Sequence, residues 1–199
     1  MTEEPKRFAI DDFLDEVKAH REDRGFLARL KRGLAEGTED QAWGILAVQH
    51  FDFSNAVKRR VWSIIGGLAA NLVDAGLLKT EGRENMGTVM RLVMHADGKA
   101  DESRMKKDES RMKTYETKLR RLLNCDSTVE LCDLVIGVVR LAEAKGVAVN
   151  CRQLYFDLNR WDDPEKREDI RIHWAQDFYR VEHEQDEQIS ESDGKGNAE

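Results

Sequence analysis

The chain has 199 residues, with 32 Lys and Arg against 39 Asp and Glu, 40% hydrophobic residues and two prolines. Those proportions fit one large or two small domains with a strongly polar surface, exclude low-complexity and collagen-like chains, and exclude extended disorder for the middle of the chain though not for its ends. The formal net charge of −7 sits in the ends: residues 1–23 hold eight acids and four bases, residues 182–199 hold seven acids and one Lys, and 27 bases face 24 acids in between.

In chain order, nearly every segment places apolar residues three and four apart, and no alternating β-branched run appears, so the fold class is all-α. Phe8 to Arg21 reads as an amphipathic helix, followed by Arg24 to Ala35 with Phe26, Leu27, Leu30 and Leu34 on one side and Arg29, Lys31 and Arg32 around the rest. Thr38 and Gln41 have capping-box spacing for a short helix to about Gln49. Ser54 is placed to cap a long helix to about Leu78. Gly66, Gly67 and Ala70 in that helix offer a smooth face for a neighbour, although each glycine costs up to about 1 kcal/mol of helix propensity. The stretch Val61 to Leu78 approaches membrane-spanning length but contains Asn71, Asp74 and three glycines, so it is expected as a buried helix and not a span. Met86 to His95 follows, with Val89, Met90, Val93 and Met94 apolar.

Residues 101–106 and 108–113 are the same hexapeptide, DESRMK, seven positions apart. The offset returns each residue to nearly the same helical face and fits a polar helix or a solvated insertion. The surrounding segment from Arg104 to Arg121 is the most positive in the chain, with eight bases and three acids. The expected organisation is an N-terminal helical bundle (1–100), a charged connection (101–117), a C-terminal helical bundle (118–181) and a disordered acidic tail (182–199). Within the second bundle, Ser127 and Glu130 have capping-box spacing for a helix that stops at Gly146. Asn150 with Gln153 opens the next, and Asp163 with Pro164 opens the last, which carries Ile170, Trp174, Phe178 and Val181 on one face.

Sequence motifs give little support to an enzyme. No phosphate loop, dinucleotide fingerprint, nucleophile elbow or HExxH occurs. Asp162, Asp163 and Asp177 can be drawn as paired carboxylates, but Asp163 is already accounted for by capping. Cys125, Cys132 and Cys151 are too few and too irregular for a disulfide framework or a metal site, and they read as reduced structural thiols of a cytoplasmic protein. The beginning of the chain is acidic and lacks a secretory signal pattern. Trp161, Trp174, Phe178 and Tyr179 are candidates for stacking on bases, but their helical spacing with Leu158 and Ile170 reads as core first, with Tyr179 as the expected exception. The basic pairs Lys31 and Arg32, Arg59 and Arg60, and the group Lys118, Arg120 and Arg121 are suited to phosphate without sequence readout.

The blocks RRLLNCD (Arg120 to Asp126), ELCDLVIGVVRLAEAKGVAVN (Glu130 to Asn150), QLYFDLNRWDD (Gln153 to Asp163) and IHWAQDFY (Ile172 to Tyr179) together resemble the small-subunit family, CasB, of the type I-E CRISPR Cascade complex. LARLKRG (Leu27 to Gly33) and ENMGTVMRL (Glu84 to Leu92) extend the resemblance into the first half. It implies a non-catalytic helical subunit, present in two copies, that meets the backbone and large subunits of Cascade. Its implied ligands are the guide RNA and target DNA of the R-loop, with no cofactor, metal or membrane. Carried over by position, it implies nucleic-acid contacts at Lys31, Arg32 and Lys118, with Arg121 and Arg140 added as neighbouring contacts. The DESRMK duplication and the acidic tail depart from the family pattern. The competing reading is a helical adaptor that binds proteins and no nucleic acid.

Overall fold

The computed structural model describes residues 8–35, 37–48, 55–98 and 105–180. These form nine α-helices and two very short strands: α1 (Ala9–Ala19), α2 (Arg24–Arg32), α3 (Asp40–Val48), α4 (Ala56–Asp74), β1 (Leu78–Lys79), α5 (Met86–Gly98), α6 (Met105–Leu123), α7 (Thr128–Ala144), β2 (Val149–Asn150), α8 (Cys151–Arg160) and α9 (Pro164–Tyr179). The all-α expectation holds. The acidic tail and the first DESRMK copy up to Arg104 lie outside the described residues, whereas the second copy lies within α6.

Helix α4 is the central element because its apolar residues run round the cylinder: Val61, Trp62, Ile64, Ile65, Leu68, Ala69 and Leu72 are all buried. It packs against α1, α2, α3, α7 and α8. Gly67 permits the approach of α2. A Cβ there would lie 2.5 Å from Leu34 Cγ and 3.0 Å from the Leu30 carbonyl oxygen. Helix α5 buries the expected methionine and valine stripe and lies along α9, and α6 packs on α5 and α7. The buried side chains form one cluster from Ile10 to Phe178, and α6 runs unbroken through residue 117.

The ends of α4 and α7 have the same construction. Gly76 and Gly146 adopt φ of +71° and +67°, values that a side chain disfavours. The next amides fold back, Leu77 N–H onto Leu72 O at 2.7 Å and Val147 N–H onto Ala142 O at 2.9 Å, as in a Schellman motif. Each end then leads into one strand, and the two strands pair in parallel, Leu78 with Val149 and Lys79 with Asn150. Two residues are too few to produce an alternating pattern, so the pairing left no trace in the periodicity.

Several local expectations are corrected. The cap of α4 is Asn55, whose side chain accepts from the amides of Val57 and Lys58, while Ser54 lies outside the described residues. The helix ends at Asp74 instead of running to Leu78, because Gly76 turns the chain. Thr38 and Gln41 do not form a capping box. The Thr38 hydroxyl donates to the carbonyls of Arg32 (2.9 Å) and Ala35, and the Gln41 side chain accepts from Arg32. Thr38 thus satisfies the end of α2 and not the start of α3. Asn150, Ser127 and Asp163 do cap α8, α7 and α9 as expected.

Candidate nucleic-acid interface

An exposed cation with no carboxylate partner is the more available to a phosphate, so partners help decide which of the basic residues matter. Lys31 on α2 places Nζ 2.8 Å from Asp74 Oδ2 at the end of α4. This hydrogen bond, with the lysine charge, holds the Asp74 carboxyl below the usual carboxylate range. Lys31 therefore ties α2 to α4. Arg32 is exposed and donates to the neutral Gln41 Oε1, and it has no ion pair among the described residues.

The central basic pair is part of the framework. Arg60 lies between Glu39 Oε2 at 3.3 Å and Asp133 Oδ1 at 2.6 Å, with its side chain only 16% exposed. It joins the start of α3, α4 and α7. The Arg59 guanidinium lies 5.9 Å from the centre of the Trp43 ring.

Helices α6 and α7 differ. Lys118, Arg121 and Arg140 are all exposed, and none has an ion pair among the described residues. Lys118 Nζ lies 5.2 Å from the centre of the Tyr115 ring, whose hydroxyl donates to Asp97 at 2.7 Å. Leu119 and Leu122 bury the adjoining face of the helix. Helical spacing puts Lys118 and Arg121 on one stripe. Arg120, also exposed and part of the same sequence cluster, points about 100° away from Arg121 round the helix. Because α6 packs on α7, the fold brings Lys118, Arg121 and Arg140 onto neighbouring helices and places Lys31 and Arg32 on a helix that packs on α3 and α4.

A second feature was not visible in the sequence. A cleft of about 820 Å³ opens between the start of α5, α8 and α9, bordered by Arg83 and Arg160 and by Asp157, Asp169 and Asp177. Its lining comes from three separate stretches of chain, so no local motif announces it. Asp157 forms its floor at 5% exposure, accepting from Trp174 Nε1 at 2.9 Å and Gln153 Nε2 at 2.8 Å. Burial pushes its carboxyl up to about 6. Arg91, Lys166, Arg180 and Glu84 also line it, so charges of both signs share the cleft and it offers a polyanion no uniform surface.

The carboxylates drawn together in the sequence have separate structural partners. Asp162 accepts the Thr128 amide at 2.8 Å, Asp163 caps α9, and Asp177 accepts from Asn85 at 2.8 Å. The three thiols are buried, and burial pushes Cys125 up to about 11 and Cys132 and Cys151 up to about 12. Among the described residues no group of three or more His, Cys, Asp or Glu could hold a metal ion, and no helix is long and apolar enough to cross a membrane.

The family model for CRISPR-associated protein Cse2 matches residues 26–179, from the third residue of α2 to the last of α9. No curated protein and no solved structure matches the chain. The helical fold and the extent of the match agree, and the chain belongs to the Cse2 family, also called CasB, the small structural subunits of the type I-E CRISPR Cascade complex.

Proposed function

We propose that this subunit stabilises the R-loop of guide RNA and target DNA by gripping sugar-phosphate backbone without reading sequence, and performs no catalytic step. The observation that carries the reading is the set of exposed cations on α6 and α7, Lys118, Arg121 and Arg140, that no acid neutralises among the described residues. Arg32 on α2 offers a second grip, with Lys31 contributing less because Asp74 holds it. Exchange of a DNA duplex for an RNA and DNA hybrid is nearly balanced in free energy, so a few backbone contacts decide how long the opened state lasts. The proposed setting is the cytoplasm. The proposed partners are the backbone and large subunits of Cascade, a second copy of this chain, the guide RNA and the target DNA.

The test is reconstitution into a guide-loaded type I-E complex depleted of its small subunit, with R-loop lifetime as the readout. Incorporation should lengthen the lifetime, and Lys118→Ala with Arg121→Ala and Arg140→Ala should shorten it equally for every target sequence. Incorporation with no change in lifetime would replace this reading with that of a protein adaptor.

A further inference from the structure

Several rings that reach the surface lie under an arginine: Arg152 over Phe8, Arg152 and Arg160 over Phe156, and Arg59 over Trp43. Tyr179 differs. It is 48% exposed, and its one ring neighbour among the described residues is Phe178, with centroids 5.0 Å apart and planes at 84°. A perpendicular neighbour covers at most one face of the ring, and about half of the residue is exposed.

The ring is also held in place. Its hydroxyl donates to Glu116 Oε1 on α6 at 3.0 Å, and Arg120 lies close enough to act on the same hydroxyl. Further along, Arg171 on α9 donates to the Cys125 carbonyl just past α6 at 2.9 Å. The two helices therefore run antiparallel, with Tyr179 beside the basic C-terminal half of α6. A fixed tyrosine loses little side-chain freedom on binding, so a planar ligand that stacks on it meets a prepared surface.

We infer that Tyr179 is a base-stacking site: one unpaired base of a single-stranded nucleic acid lies on the open face of its ring while Arg120 holds the adjoining phosphate. The inference rests on the proposed nucleic-acid role and specifies which form of nucleic acid this face takes. Bases inside a duplex have both faces occupied by their neighbours, so an isolated surface ring selects single strands. Every base has a π-face, so the site tolerates any sequence. Arg120 beside the ring, with no ion pair among the described residues, favours a polyanion over an apolar peptide.

The experiment measures binding of the full chain, at low salt, to a thymidine oligomer and to an abasic oligomer with the same number of phosphates. The parent chain should prefer the thymidine oligomer by about fivefold or more, a factor set by the usual strength of stacking on one aromatic side chain. Tyr179→Ala should remove that preference and leave abasic binding unchanged, while Tyr179→Phe, which keeps the ring and loses the hydroxyl, should bind as the parent does. Equal binding of both oligomers by the parent chain overturns the inference and needs no variant that might misfold. Equal losses in Tyr179→Phe and Tyr179→Ala also overturn it, because the hydroxyl tie would then be what matters. Lys118→Ala with Arg121→Ala should weaken both oligomers alike. No effect of that pair refutes the phosphate-gripping role whatever the tyrosine does, and no binding of either oligomer refutes both readings.

Discussion

Replacing Gly87 with Ala tests whether α5 and α9 meet backbone to backbone. A Cβ at Gly87 would lie 1.9 Å from the Trp174 carbonyl oxygen, 2.7 Å from its carbon and 2.9 Å from its Cα. Ordinary contact begins near 3.4 Å, so the closest approach is about 1.5 Å too short, and the obstacle is helix backbone and not the tip of a side chain. Trp174 has little freedom to yield, being fully buried, hydrogen-bonded to Asp157 and 5.4 Å from the Trp161 ring centre. Relief requires α9 to move off α5, which loosens the packing of Met86, Met90 and Phe178. Overpacking of this kind costs typically about 1–3 kcal/mol, and the upper part of that range should survive the gain of about 1 kcal/mol in helix propensity. The net expectation is a loss of about 1–2 kcal/mol. Gly137 on α7 is the matched control: it is exposed, nothing lies within 4 Å of its added Cβ, and Gly137→Ala should stabilise by up to about 1 kcal/mol. Urea unfolding with a shared m-value measures both. A Gly87→Ala protein as stable as Gly137→Ala would refute the close approach.

Three further outcomes follow from the same structure. Burial raises Asp157 to about 6 in the folded state from a model-peptide value of 3.8, so the folded state takes up the extra proton. Its contribution is fully present below about pH 3.8 and is lost as the pH rises through 6. Asn does not titrate, so the stability of Asp157→Asn relative to the parent should rise by up to roughly 3 kcal/mol from pH 4 to pH 7, and urea titrations showing a constant difference would contradict this. In nucleic-acid binding, Lys118→Ala, Arg121→Ala and Arg140→Ala should each lower the slope of log affinity against log salt by about 0.7–0.9, and Lys31→Ala by clearly less, because Asp74 already holds that ammonium. Buried thiols raised to about 11 and 12 should resist iodoacetamide at pH 8 in the native protein and react once urea unfolds it; rapid native labelling, read by mass, would contradict their burial.

What could be read from the sequence was what lies close together along the chain. Helix periodicity, the caps at Asn150 and Asp163, the turn at Gly146 and the burial of Trp161, Trp174 and Phe178 all depend on spacings of a few residues, and all are found. The exposure of Tyr179 was legible for the same reason, since the helical face that buries Trp174 and Phe178 leaves it outside. Partnerships across the chain were not legible. Lys31 looked as available as Lys118 until Asp74, 43 positions away, was seen to hold it. Arg60 looked like a phosphate ligand until Glu39 and Asp133 converged on it. Thr38 showed how local spacing misleads: its hydroxyl was in reach of the preceding helix end as well as the following one, and the sequence pattern recorded only the second.

The pairing of Leu78 with Val149 orders events during synthesis. Strand β2 follows α7, so a growing chain that has finished α4 must wait for the 71 residues separating Leu78 from Val149 before the sheet can close. At ribosomal rates of about 5–20 residues per second that delay is roughly 4–14 s. Through it, the α4 residues destined for α7 and α8 lack those partners, while α1, α2 and α3 can already pack on the helix. The nascent subunit thus presents a half-clothed central helix for several seconds, and factors that shield emerging apolar segments would meet it there.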